Sequence, residues 1–400
     1  MAALSEAERF AQLVVEVGAN VQEGQEVEIL AEFGTEEPVR AIVGAAYRRG
    51  ARYVNVWWWD PLVKRERLLH ARPETLDYVP PELGSHLLRL GDERGCRIWI
   101  IGNPTPDALE GIDPERAGRD LLPRVKESSE VVLARTTNWC ISSWPTPGWA
   151  RQVFPDLEPD EAFARLRREL AHVTRLDEDD PAAAWRARVE ELRSVAGRLT
   201  GHRFDAVRFR GPGTDLTVGL FPSSAWHAGS LERVDGVESV VNLPTEEVFT
   251  TPDPRRVEGV VRSTKPLEFA GSLIEGIVVR FEGGRAVQID ADANADVLRA
   301  VAAMDDGAAR LGEVALVDGS GRIDALGTVF WNTLLDENAA SHIAIGGAYD
   351  FVVEDEAERA EANQSQIHVD FMIGSPQVDV DGVTAAGDEV PVLRGGVWQI

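Results

Sequence analysis

The last third of the chain gathers side chains that bind cations. His342 follows Glu337 within NTLLDENAASHIA over 332–344, with Tyr349 just beyond, and His368 and Asp370 stand in HVDFMIG over 368–374. Glu246 and Glu247 are adjacent in NLPTEEVFTTP over 242–252, and Glu313 opens the apolar run of LGEVALV over 311–317. A His-x-Asp step in an extended strand puts both side chains on one face, which suits one edge of a metal site. The step from Glu337 to His342 is little more than one helical turn, so both reach a common point if the intervening segment is helical or a loop. Glu313 needs a cation or a donor opposite it, because a bare carboxylate pays heavily for leaving water. Imidazole with carboxylate oxygen favours zinc, cobalt or manganese over calcium, for which histidine is a poor ligand. Spacing alone leaves open which of Glu246 and Glu247 belongs to the group.

Each residue has an ordinary reading on its own. Histidines hydrogen-bond in cores, a Glu-Glu pair is commonly a solvated face, and a tyrosine packs. Their coincidence in short, glycine-flanked segments of one region favours a site.

The elements expected to position these groups lie in two parts. Ser5 and Glu8 have capping-box spacing, and Phe10, Leu13, Val14 and Val17 follow at helical intervals, predicting a helix over 5–18. A strand over 27–31, a helix over 36–50 and the aromatic, β-branched run 53–59, expected as a buried strand, form a strand-helix-strand unit. Helices near 62–69 and 85–94 and a strand over 97–102 extend the alternation, so the N-terminal part is expected to be α/β with a mainly parallel sheet. Helical, charged sequence over 159–199, with Asp180-Pro181 opening a helix through Trp185, reads as a connector. Beyond Phe204, short apolar runs broken by glycine (206–209, 216–220, 274–281, 285–289, 313–317, 390–393) predict a C-terminal α+β domain rich in antiparallel strands and carrying the metal site. The expected boundaries are 1–178 for the N-terminal domain, 179–202 for the connector and 203–400 for the catalytic, metal-binding domain.

Composition excludes several classes. The chain has 67 acidic against 41 basic residues, a formal net charge of −26, which repels phosphate backbones and anionic membranes. No GxGxxG follows a strand and no GxxxxGK[ST] occurs, so a dinucleotide or P-loop site is not expected. The start has no basic segment followed by an apolar one, and no apolar run reaches spanning length, so a cytoplasmic location is expected. Cys96 and Cys140 stand far apart without a metal-ligand pattern and read as small buried core residues.

The four strings quoted above closely resemble the signatures of the thermophilic aminopeptidase family, which includes aminopeptidases T and S. The likeness continues more weakly through Asp180-Pro181 with Trp185 and through GPGTDL over 211–216, covering essentially 8–400. Thr251 stands where the family pattern has alanine, and Trp331 precedes the Asn-Thr-Leu motif; neither is a proposed ligand, and both bear on substrate preference. The resemblance implies a metallo-aminopeptidase acting on short peptides through two divalent ions (zinc, cobalt, manganese or magnesium), and a homodimer. Its ligands would be Glu247, chosen over Glu246, with Glu313, Glu337, His342, His368 and Asp370, and Tyr349 would be a catalytic side chain. On that reading Glu313 bridges the ions, Tyr349 steadies the oxyanion, and Glu246 or Glu337 shuttles a proton to the leaving amine. Another dinuclear hydrolase, such as an amidase or dipeptidase, and a non-catalytic metal-binding protein are the competing expectations.

Overall fold

The structure is a computed structural model and describes residues 4–120, 122–123, 125–269 and 272–400. The chain divides into two compact units, one of residues 1–189 and 230–245, the other of residues 190–229 and 246–400.

In the first unit, α1 (Glu6–Leu13) is capped by Ser5, whose hydroxyl accepts from the Glu8 amide while the Glu8 carboxylate accepts from the Ser5 amide. The helix continues as a wider π turn over Val14–Gly18. Next come β1 (Glu26–Glu32), α2 (Glu36–Arg48), β2 (Tyr53–Trp59), α3 (Pro61–His70), α4 (Pro81–Asp92), β3 (Cys96–Ile101) and β4 (Asn138–Ser143). Strands β4, β3, β1 and β2 lie side by side in that order, all parallel. The two-residue strand Asn242–Leu243 adds to the β4 edge, also in parallel. It is held there by Ile141 N–H donating to Val241 O (2.7 Å) and by an Arg233 N–H donating to Asn138 Oδ1 (3.0 Å).

The expectation that 53–59 is a buried strand is corrected. β2 is the edge of the sheet, and Tyr53, Trp57 and Trp58 are exposed. A parallel strand is covered on both faces only when neighbours and helices flank it; here aromatic residues supply strand propensity on a half-covered edge. Cys96 and Cys140 are both buried, and burial pushes the Cys96 thiol up to about 12, so neither is a reactive thiolate.

Two further helices follow, α5 (Pro159–Val173) and α6 (Pro181–His202). α6 opens with the Ala183 amide donating to Asp180 Oδ1 (2.9 Å). Trp185 is fully buried; its indole N–H donates to Thr174 O (2.8 Å) and the Arg175 guanidinium lies 4.4 Å from its ring centre.

The second unit is built of antiparallel strands: β5 (Ala206–Gly211), β6 (Thr214–Leu220), β7 (His227–Ala228), β8 (Glu247–Thr250), β9 (Pro252–Arg262), β10 (Val278–Glu282), β11 (Arg285–Asp290), β12 (Leu311–Val317), β13 (His342–Gly346), β14 (His368–Met372), β15 (Asp379–Val383), β16 (Glu389–Arg394) and β17 (Val397–Trp398). They form an eight-stranded sheet in the order β11-β10-β9-β6-β5-β15-β16-β17 and a five-stranded sheet in the order β14-β13-β12-β8-β7. The apolar run 274–281 is not one strand, because the chain turns at Gly276, where φ is 61°.

The five-stranded sheet divides its residues cleanly between two faces. Val248, Val314, Leu316, Ile343, Ile345, Val369 and Phe371 all enter the core of this unit. Alternation along each strand therefore turns Glu247, Glu313, Ala315, His342, Ala344, His368 and Asp370 to the other face. On β12 this depends on a bulge. Leu311 pairs with Ile345 but Glu313 pairs with Ala344, so Gly312 is the extra residue that sends Leu311 into the core and Glu313 out of it.

Candidate metal centre

Register places the polar residues in neighbouring rows of one face. Glu313, Ala344 and Asp370 lie side by side across β12, β13 and β14; Ala315 and His342 form the next pair, and His368 stands opposite Gly346. Small residues at Ala315, Ala344 and Gly346 leave room between the longer polar side chains.

Two groups of side chains converge there. In the first, ligand atoms of Glu247, Glu313 and His342 all lie within 4.8 Å of one another; in the second, those of Glu313, His368 and Asp370 do. Glu313 is common to both. His342 Nε2 is 3.0 Å from Glu247 Oε2, and His368 Nε2 is 3.2 Å from Glu313 Oε2 and 3.5 Å from Asp370 Oδ2.

The far side of each imidazole fixes its tautomer. Nδ1 of His342 faces Ala340 O at 3.0 Å and Nδ1 of His368 faces Gly347 O at 2.7 Å; a carbonyl oxygen only accepts, so both Nδ1 atoms carry hydrogen and donate. In a neutral ring Nε2 is then a lone pair aimed at a carboxylate oxygen, itself an acceptor. Two acceptors at about 3 Å repel unless a proton or a metal cation lies between them. This donor set fits divalent metal: neutral imidazole nitrogen and carboxylate oxygen, with each ring oriented by a backbone carbonyl behind it.

Electrostatics agree. Burial opposes charge on His342, but the hydrogen bond and negative charge of Glu247, with Asp370 and Glu337, outweigh it and hold the imidazolium well above its ordinary pKa. Burial likewise opposes charge on His368, and Asp370, Tyr349 and Glu313 reverse it. Burial raises the Glu313 carboxyl, partly countered by His368 and reinforced by Asp370. Burial and the charges of Asp370 and Glu247 lift Glu337 well above the usual carboxylate range. These are the signs of an acidic cluster that binds protons in place of another cation.

Glu337 ends a one-turn helix, α7 (Thr333–Glu337). It is coupled by charge to Glu247, Glu313, His342 and Asp370 but belongs to neither three-residue group. Glu246 is fully buried, precedes β8 and belongs to neither three-residue group; its carboxyl carbon lies near Gly321. The half-buried ring of Tyr349 lies 5.1 Å from that of His368, and burial raises its phenol above the ordinary value.

Sequence reasoning missed the residues that hold this frame. Asn338 Oδ1 accepts from the Glu246 amide (2.7 Å) while its Nδ2 donates to Leu334 O (2.9 Å), tying the strand of Glu247 to α7. The Ser341 hydroxyl accepts from Val317 N–H at 3.0 Å. Asp336 accepts from the Phe330 and Asn332 amides (2.8 and 3.0 Å), and burial lifts its carboxyl to about 6 despite them. All three stand in the 332–344 string, where their polarity inside a buried segment was the available signal. Thr251 has a structural task, since its hydroxyl donates to Tyr349 O at 2.9 Å.

The family model for thermophilic metalloprotease (M29) matches residues 4–398. Aminopeptidase T of Thermus aquaticus is 43% identical over 400 residues, covering 98% of each chain. Aminopeptidase 2 of Geobacillus stearothermophilus is 37% identical over 403 residues, covering 98% of this chain and 97% of its own. The solved structure of wild-type AmpT from Thermus thermophilus superposes with a TM-score of 0.90 at 42% identity, covering 99% of both chains. A match of this length and identity establishes that the chain belongs to the thermophilic metalloprotease (M29) family and is a hydrolase of the aminopeptidase class.

Proposed function

We propose that this protein removes the N-terminal residue from short peptides, using two divalent metal ions held by Glu247, Glu313, Glu337, His342, His368 and Asp370. The observation that supports this reading is the shared carboxylate: Glu313 lies in both ligand groups, and each group has one imidazole whose Nε2 faces a carboxylate. Zinc, cobalt, manganese or magnesium suits the donor set. When bound, such ions supply a water acidified toward neutral pH and a Lewis-acid contact to the scissile carbonyl.

The chain's own groups do the rest. The carboxylates attract the free α-ammonium of the substrate, which an N-acylated peptide lacks. Tyr349 keeps its proton, because burial raises its pKa, and so donates a hydrogen bond to the developing oxyanion. Glu337, the proposed ligand that belongs to neither three-residue group, takes a proton from the water and returns it to the leaving amine. The enzyme acts as a cytoplasmic homodimer, a state that light scattering of the purified protein checks. Peptides are its partners, and nucleic acid is not, given the charge of −26. Among the described residues no helix is long and apolar enough to cross a membrane.

Hydrolysis of leucine p-nitroanilide and its N-acetylated counterpart by chelator-stripped protein, before and after addition of cobalt, zinc or manganese, tests the reading. Cleavage restored by metal and confined to the free amine is the expected result; cleavage of the acetylated substrate would point to an amidase. Glu313→Gln keeps the size and loses the charge, and is expected to lower turnover by at least about a thousandfold with the fold retained.

A further inference from the structure

Resting on the aminopeptidase reading, we propose that Phe249, Tyr349, Phe351 and His227 form the pocket that receives the side chain of the substrate's first residue and selects for apolar ones. The rings form one connected group. Phe249 is 5.7 Å from Tyr349 and 6.4 Å from His227, Phe351 is 5.9 Å from Tyr349 and 6.1 Å from His227, and Tyr349 is 5.1 Å from His368.

Register ties the group to the candidate centre. Phe249 follows Glu247 by two positions on β8, so the two share a face, and His227 is directly paired with Phe249 across β7 and β8. The same row continues through Ala315 to His342. Large apolar rings on a sheet usually serve its core, but this sheet's core lies on its other face, and none of these four residues belongs to it. All four residues are half-buried, and through Tyr349, whose ring lies 5.1 Å from that of His368, the group adjoins the cluster. An aromatic surface left accessible next to a polar cluster binds apolar side chains by area and by edge and face contact.

Chemistry assigns the occupant. The α-ammonium belongs at the carboxylates, and the first side chain branches from the carbon that bears it. That side chain therefore starts at the cluster, which the ring of Tyr349 adjoins at His368. The second residue lies beyond the scissile bond and is carried away from the amine.

The test is kcat/KM of metal-loaded wild type, Phe249→Ala, Phe351→Ala and Phe249→Leu on leucine, phenylalanine and alanine p-nitroanilides and on the dipeptides Leu-Ala and Ala-Leu. Melting curves serve as the fold control. The wild type is expected to prefer leucine over alanine, and that ratio to fall about tenfold in each alanine variant, a typical worth of apolar pocket contacts. Phe249→Leu, which keeps apolar volume, should retain most of the ratio, and the effect should follow Leu-Ala rather than Ala-Leu. A ratio unchanged in both alanine variants, or an effect that follows Ala-Leu, overturns the pocket while leaving the aminopeptidase reading intact. A wild type that cleaves none of these substrates overturns that reading and the pocket together.

Discussion

His342 and His368 are each held from behind by a backbone carbonyl, and this turns a pair of ordinary imidazoles into a matched set of cation donors. With Nδ1–H committed to Ala340 O and Gly347 O, only Nε2 is left, and it faces Glu247 in one case and Glu313 and Asp370 in the other. In the metal-free protein a proton has to fill that space. Both histidines are accordingly raised well above 6.5, and Glu337 well above 4.5. For a raised histidine, the stability it adds is complete below the unfolded pKa and is lost as pH climbs through the folded one. For a raised carboxyl the folded state also holds the extra proton, so stability again falls with rising pH. The two act in the same direction. The melting temperature of chelator-treated protein should therefore fall as pH is raised from about 6 to about 9, while that of the metal-loaded protein stays nearly level, because metal has displaced those protons. Differential scanning calorimetry at several pH values measures this, and equal slopes for the two forms would show that protons and metal do not compete at the cluster.

Among the elements, the bulge at Gly312 decides which face of β12 carries Glu313. Gly312 lets β12 change faces, and a Cβ there would run into the carbonyl oxygens of Gly346 and Gly347. Those carbonyls belong to the segment that also orients His368. Gly312→Ala should consequently lower the melting temperature by several degrees, from about 1–3 kcal/mol of overpacking, and depress kcat further than a comparable alanine elsewhere in the sheet. Thermal melts and initial rates on the one variant check both. β12 was legible as the apolar run 313–317 and the one-sided placing of His368 and Asp370 as a His-x-Asp step in extended chain, whereas β13 (His342–Gly346) was not among the expected strands, being a short run behind a polar segment. The bulge was not legible, since a glycine in an apolar run announces an irregularity without saying which residue it re-aims. Nor was the choice between Glu246 and Glu247, which spacing leaves open; the structure brings Glu247 to Glu313 and His342. The exposed edge position of Tyr53–Trp59 was misread from aromatic content, because β-propensity reports a fit to a pleated surface and not how many faces are covered.

Along the whole chain, the parallel, helix-flanked sheet of the N-terminal part and the antiparallel sheets of the C-terminal part were visible as a change of texture, from strand-helix alternation to short glycine-broken runs. The return of residues 230–245 to the first unit was not visible, because it rests on a two-residue strand and single side-chain contacts such as Arg233 with Asn138, too short for any periodicity. The second unit contains every proposed ligand, so metal binding should stabilise the folded chain by mass action. Chelation should lower the melting temperature, and metal at about a thousand times its dissociation constant should restore about 4 kcal/mol. Scanning fluorimetry across a metal titration gives the value, and a melting temperature blind to metal would detach the cluster from folding. Anomalous X-ray diffraction at the metal edge, on crystals of metal-loaded protein, shows whether one sheet face holds two metal ions that share Glu313. Two peaks about 3.5–4 Å apart are expected, one bounded by Glu247, Glu313 and His342, the other by Glu313, His368 and Asp370. A single peak, or peaks away from Glu313, would mean that Glu313 does not join a pair of ions.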